Sequence, residues 1–148
     1  MLQALTLQIA PDNDDYPTLW RHILSALSDE KTTWQVDGLD CLYESDLTAG
    51  RYATNELLAA MKDNRFIASA RLIALPRGQA LSRPIHTIDD LAASNCENLV
   101  LCADPGFFDV FSKHADRLDR LSQAFADGLA QLKLFHDVRL IGRTDLLA

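Results

Sequence analysis

Cys96, in the run Ser-Asn-Cys-Glu at 94–97, is the side chain best suited to act as a nucleophile. His86 and His114 are the bases that could meet it in space. A thiolate needs such a base, or a helix N-terminus, to lower its pKa. Cys96 instead follows a short predicted helix, at the end where the dipole raises the pKa. Cys41 and Cys102 fall in apolar, strand-like runs and read as small core residues. Paired carboxylates are the other acid–base candidates, and Asp104 and Asp109 bracket an Asp-Pro-Gly turn. Asp104 is equally the residue type that the first position of a β-turn prefers. A pocket of Cys96, Asp104, Asp109 and His114 near the 104–113 hairpin is thus one expectation.

The four histidines lie far apart, and no His or Cys pair has metal-ligand spacing. The acids of Asp12-Asn13-Asp14-Asp15 lack the glycine and closing glutamate of a calcium loop and read better as helix-capping residues. No nucleophile-elbow or glycine-rich phosphate-binding pattern occurs, so no metal and no other cofactor is expected.

Charge is the strongest anomaly. The chain carries −7 overall, which disfavours nucleic acid as a partner. Residues 1–50 hold nine acids against Arg21 and Lys31, whereas residues 51–148 balance twelve acids with twelve bases. Tyr16, Trp20, Trp34, Tyr43 and Tyr52 cluster in or near the same acidic third. Acid and aromatic side chains together suit a surface that captures a basic protein. Asp37, Asp40, Glu44 and Asp46 are the residues expected to make that contact.

These side chains need elements to position them. Leu5–Ile9 alternates as a half-buried strand does. Asp14 or Asp15 can cap a helix over Pro17–Ser28, whose Leu19, Trp20, Ile23, Leu24 and Leu27 share one face. In Lys31–Asp46, the Asp37-Gly38 pair suits a type I′ turn. That turn would match Val36 with Leu39 and Trp34 with Cys41, placing the apolar residues on one face of a hairpin. Ala53–Asn64 has helix-forming composition, with Thr54 as a possible cap and Leu57, Leu58 and Met61 as its apolar edge. The apolar strand Arg65–Leu75 contains Arg71, which needs a partner or an exposed side. Pro76–Pro84 reads as a flexible loop, and Thr87 with Asp90 as a capping box. Asn98–Lys113 reads as two strands about a type II turn at Asp104-Pro105-Gly106-Phe107. Leu118, Leu121, Phe125, Leu129 and Leu132 predict a helix over 115–132, and Asp137–Gly142 a last strand.

The order β-α-β-β-α-β-α-β-β-α-β, with two hairpins, predicts an α+β fold: one domain over 1–148, a mixed and mainly antiparallel sheet, and three to four helices packed on it. Three cysteines without metal spacing suit a reduced, cytoplasmic setting. No apolar stretch approaches the roughly 18 residues that cross a bilayer, and the first residues lack the basic start of a signal peptide. No membrane partner is expected, and exposed strand edges leave homo-oligomerisation open.

The segment Ser94–Lys113, with its Ser-x-Cys run, apolar strand, Asp turn and aromatic second strand, resembles part of an uncharacterised bacterial domain family. Trp34, Arg143 and Thr144 are compatible with that resemblance, which implies a bacterial, cytoplasmic domain and no assigned activity. From the residues, the expected function is a small protein-binding domain of the immunity or inhibitor type, acting through its acidic first third. The alternative is an enzyme or ligand-binding domain with its site near the 104–113 hairpin and Cys96.

Overall fold

The computed structural model describes residues 2–10, 15–41, 47–61, 67–103, 106–143 and 145–146. Among them seven strands form one sheet: β1 (Gln3–Ile9), β2 (Thr32–Cys41), β3 (Gly50–Ala53), β4 (Ile67–Pro76), β5 (Asn98–Ala103), β6 (Phe107–Ser112) and β7 (Ala130–Phe135). Their spatial order is β3-β2-β4-β5-β6-β1-β7, and every pairing among them is antiparallel. The α+β class therefore holds, with an antiparallel rather than mixed sheet.

Among the described residues four α-helices accompany the sheet: α1 (Tyr16–Leu27), α2 (Thr54–Met61), α3 (Ile88–Ala93) and α4 (Ala115–Ala124). Asp15 caps α1 by accepting from the Thr18 amide at 3.2 Å, and the predicted apolar face is buried. The capping box of α3 forms as predicted, Thr87 Oγ1 accepting from the Asp90 amide and Asp90 Oδ2 from the Thr87 amide, each at 3.1 Å. At α2 the expectation fails in detail. The Thr54 hydroxyl accepts from Trp34 Nε1 at 3.0 Å, and Glu56 satisfies the Ala53 amide at 2.9 Å.

The predicted hairpin over 31–46 is corrected. β2 runs straight through Asp37-Gly38 and pairs with β3 on one side and β4 on the other. Gly38 does take a positive φ of 57°, but it serves a bulge, with the register against β4 shifting between Asp37 and Asp40. One extra residue restores the apolar side: Trp34 and Val36 lie in the main core, and Leu39 and Cys41 pack on it. The part of the predicted hairpin at 42–46 lies outside the described residues, as do Asp104 and Pro105 of the predicted turn.

Two further expectations give way near the end of the chain. α4 stops at Ala124, passes through a 3₁₀ turn at Phe125–Asp127, and is ended by Gly128 at φ 83°. Leu132 thus belongs to β7, while Leu129 precedes it. Asp137–Gly142 is not a strand: Asp137 caps a second 3₁₀ turn, Val138–Ile141, by accepting from the Arg139 amide at 3.0 Å. The 76–84 loop is irregular but laced to Asn95, whose side chain accepts from the Ser82 amide at 2.8 Å and donates to the Ala80 carbonyl at 2.9 Å.

The sheet is buried on both faces, by different means. α1, α2 and α4 cover one face over a core containing Trp20, Trp34, Leu72 and Phe108. The other face carries a second core of Ile73, Leu99, Phe111 and neighbours. It is roofed by Ile85, Leu91 of α3, the second 3₁₀ turn and Leu146.

Candidate functional site

On the second face, registered partners line up in a row across six strands. Lys133 of β7 stands beside Thr6 of β1, Thr6 beside Asp109 of β6, and Asp109 beside Leu101 of β5. Leu101 in turn neighbours Arg71 of β4, which faces Asp37 of β2. Directly paired residues share a face, so the charges alternate along one transverse line.

Arg71 is the centre of that line. It is buried, and its Nε and Nη2 donate to the two Asp37 carboxylate oxygens at 2.6 and 3.1 Å. Its Nη1 donates to the Ile85 carbonyl at 2.6 Å and the Leu146 carbonyl at 2.9 Å. One guanidinium thus ties the β2 bulge, the loop before α3 and the segment around Leu146 to the centre of the sheet. Such a fork–fork geometry is what arginine offers and lysine does not. The same segment is fastened a second time, Arg143 Nε donating to Asp109 Oδ2 at 2.7 Å. Arg143, Asp145 and Leu146, the last with its side chain fully buried, are called the strap below.

Where the roof stops, the face opens into a trough of about 420 Å³ over β5, β6, β1 and β7. Thr6, Gln8, Gln131, Lys133, Asp109 and Phe107 give it chemistry. Phe107 is 52% exposed, while the Lys133 ammonium lies 5.0 Å from the centre of the Phe135 ring. The volume falls in the ordinary range for ligand sites, about 300–1,000 Å³. A second, more open groove of about 510 Å³ at the β3 edge mixes Arg51 and Arg77 with Glu30 and Glu56.

The residues singled out from sequence are dispersed. Asp109 lines the trough, engaged by Arg143. Cys96 does not. It is fully buried, its thiol donates to the Asn98 carbonyl at 3.0 Å, and burial pushes its pKa up to about 12. His114 sits past the far end of β6 from Asp109, with Nε2 3.0 Å from Glu97 Oε2. Asp37 is committed to Arg71, whereas Asp40 is exposed beyond the bulge. Glu44, Asp46 and Asp104 lie outside the described residues.

His114 belongs to a different polar knot. Buried Arg117 of α4 reaches Glu97 at 3.1 Å, Asp29 at 3.3 Å and the Leu27 carbonyl at 3.3 Å. Fully buried Asn98 donates to the same Leu27 carbonyl at 2.7 Å and accepts from the Ser112 hydroxyl. These groups satisfy one another and join the end of α1 to β5, β6 and α4.

A family model described as "Protein of unknown function (DUF2691)" matches residues 3–146. The chain belongs to that family. No curated protein and no solved structure matches it. The DUF2691 match runs from β1 to Leu146, so it takes in both sides of the trough, Arg71 and the strap. Among the described residues, no group of three or more His, Cys, Asp or Glu could hold a metal ion, and no helix is long and apolar enough to cross a membrane.

Of the trough and its surroundings, sequence reasoning found Asp109 and flagged Arg71 as needing a partner. It missed Thr6, Gln8, Gln131, Lys133 and Arg143. For the four strand residues the signal is one of register: each alternates with an apolar neighbour, and only the strand order brings them together, whereas Arg143 lies past the second 3₁₀ turn.

Proposed function

We propose that this member of DUF2691 is a binding domain and that its ligand, a short extended segment of another protein, lies in the trough on the strap-bearing face. The observation that carries the reading is Phe107, an aromatic ring 52% exposed and paired with Gln8, which on its other side pairs with Gln131. Half-exposed aromatics flanked by hydrogen-bonding side chains suit an anchor position in recognition. Charge narrows the ligand. Arg143 answers Asp109 at 2.7 Å, and Lys133 adds a positive charge on the trough wall, so neutral or acidic side chains fit better than basic ones. The test is a random-peptide display screen followed by chemical-shift mapping of a bound sequence. Shifts should centre on Gln8, Phe107, Gln131 and Lys133 and vanish in a folded Phe107→Ala variant. Selected peptides that shift the Asp40 surface, or that bind Phe107→Ala equally well, would remove the trough from the account.

The acid-rich first third supports a second reading, capture of a basic protein by charge matching and steric blockade, as an immunity-type inhibitor works. Glu30 and Asp40 stand exposed there. Asp37 and Asp29 are spent on Arg71 and Arg117, and Asp15 on the cap of α1, so the patch is thinner than the sequence total suggests. Here Asp40→Lys, together with Glu44→Lys and Asp46→Lys, should lower retention of a salt-eluted basic partner. Undiminished retention would discard this reading and leave the trough untouched.

A further inference from the structure

The sheet's two edges are unlike. β3 has four residues, whereas β7 has six, Ala-Gln-Leu-Lys-Leu-Phe, with no proline and no acid. Nothing pairs with the outer side of β7 among the described residues. Of the three large apolar side chains left exposed among the described residues, two gather beside it: Leu134 at 38% on the strand, and Leu140 at 70% on the 3₁₀ turn packed next to β1 and β7. A long edge strand with apolar side chains is what chains normally blunt or cover.

We infer that β7 pairs with β7 of a second copy of this chain, antiparallel about a two-fold axis normal to the sheet. The sequence of the strand selects one register. An axis in that direction keeps the helical layers of both copies on the same side, so a residue must meet one of its own parity. Two central registers obey this. One, centred on Lys133, sets the two ammonium groups directly opposite each other, which is destabilising. The other, centred on Leu132, sets Gln131 against the partner's Lys133, and Leu134 against the partner's Ala130. It removes the like-charge clash and covers the exposed side of Leu134, so the Leu132-centred register is the one assigned. The trough, open at β7 in one copy, then continues across the axis onto the partner's Gln131 and Lys133. The inference goes beyond the peptide-binding reading and does not depend on what fills the trough.

Sedimentation velocity from micromolar to millimolar concentration tests the interface, and cysteine pairs test the register. Gln131→Cys and Lys133→Cys are made separately in a Cys41→Ser background and oxidised with copper phenanthroline. The expected result is a concentration-dependent dimer, a covalent dimer in the mixture of the two variants, and little in either alone. Leu134→Asp, at a position already exposed, should shift the wild-type dimer to monomer with the helical signal unchanged. A wild-type chain that stays monomeric throughout and gives no cross-link in the mixture overturns the interface. Efficient self-cross-linking of Lys133→Cys alone overturns the register. A dimer insensitive to Leu134→Asp places self-association elsewhere and overturns the role of β7.

Discussion

Replacing Arg71 by alanine should destabilise the fold by about 3 kcal/mol. The guanidinium is 8% exposed and makes four hydrogen bonds, two to the Asp37 carboxylate and one each to the carbonyls of Ile85 and Leu146. Breaking a buried ion pair by removing one partner costs about 3–5 kcal/mol, chiefly because the other charge is stranded. Asp37 is 37% exposed, so water can take over its charge, which puts the cost at the low end of that range. Arg71→Met keeps the buried volume but strands Asp37 just as alanine does, so it should lose nearly as much. Asp37→Asn retains one good acceptor and should cost about 1–2 kcal/mol. Urea unfolding by linear extrapolation measures all three, and the double variant gives the coupling of the pair. Amide exchange adds a local readout, because the Leu146 amide donates to the His86 carbonyl at 2.9 Å and should lose protection when the clasp is cut. A loss below about 1 kcal/mol for Arg71→Ala would refute the reasoning, since it lies under the cost of even one orphaned buried group. Unchanged protection at Leu146 would refute the strap's dependence on it.

Arg117→Ala should cost about 3 kcal/mol in the same assay, because Glu97 and the Leu27 carbonyl lose a buried donor. Cys96 should resist thiol reagents in the native protein while half-buried Cys41 reacts, read by mass spectrometry of labelled peptides. Its native pKa lies above the 9.0 of a free thiol, so the unfolded chain ionises first and stability should fall between pH 9.0 and about 12, by at most about 1.4 kcal/mol per unit. Gly128→Ala should cost about 1 kcal/mol from the positive φ alone, since a Cβ there meets no atom within 4 Å. Asp127, held below the 3.8 of a free aspartate by the Leu129 amide and then by His22, should titrate below that value by NMR. Its stabilising part is therefore present at neutral pH and lost as pH falls through the lowered value.

What the sequence made legible were features settled within a few residues: the Asp15 cap, the Thr87–Asp90 box, and the apolar stripe of α1. The errors arose where two structures make the same local pattern. A type I′ turn at Asp37-Gly38 puts Trp34, Val36, Leu39 and Cys41 on one face, and so does a one-residue bulge in a continuous strand. What separates them is the long-range pairing of Asp37 with Arg71, and the buried arginine was the hint. Likewise the spacing from Phe125 to Leu129 and Leu132 continues a helical stripe, yet all three reach the main core because Gly128 turns the chain back into β7. The trough was legible only through Asp109, because its other members are ordinary polar residues of alternating strands.

The position of β1 has a consequence for how the chain is made. Of the seven strands β1 leaves the ribosome first, but its neighbours in the sheet are β6 and β7. Roughly a hundred residues separate the end of β1 from the start of β6. At about 5–20 residues per second, that is a wait on the order of five to twenty seconds. Throughout it, Leu5 and Leu7 have no strand to lie against, while β2, β3 and β4 can already pair. The nascent chain thus carries an adhesive first strand past an early half-sheet that has no place for it, and the sheet closes through its first and last strands together.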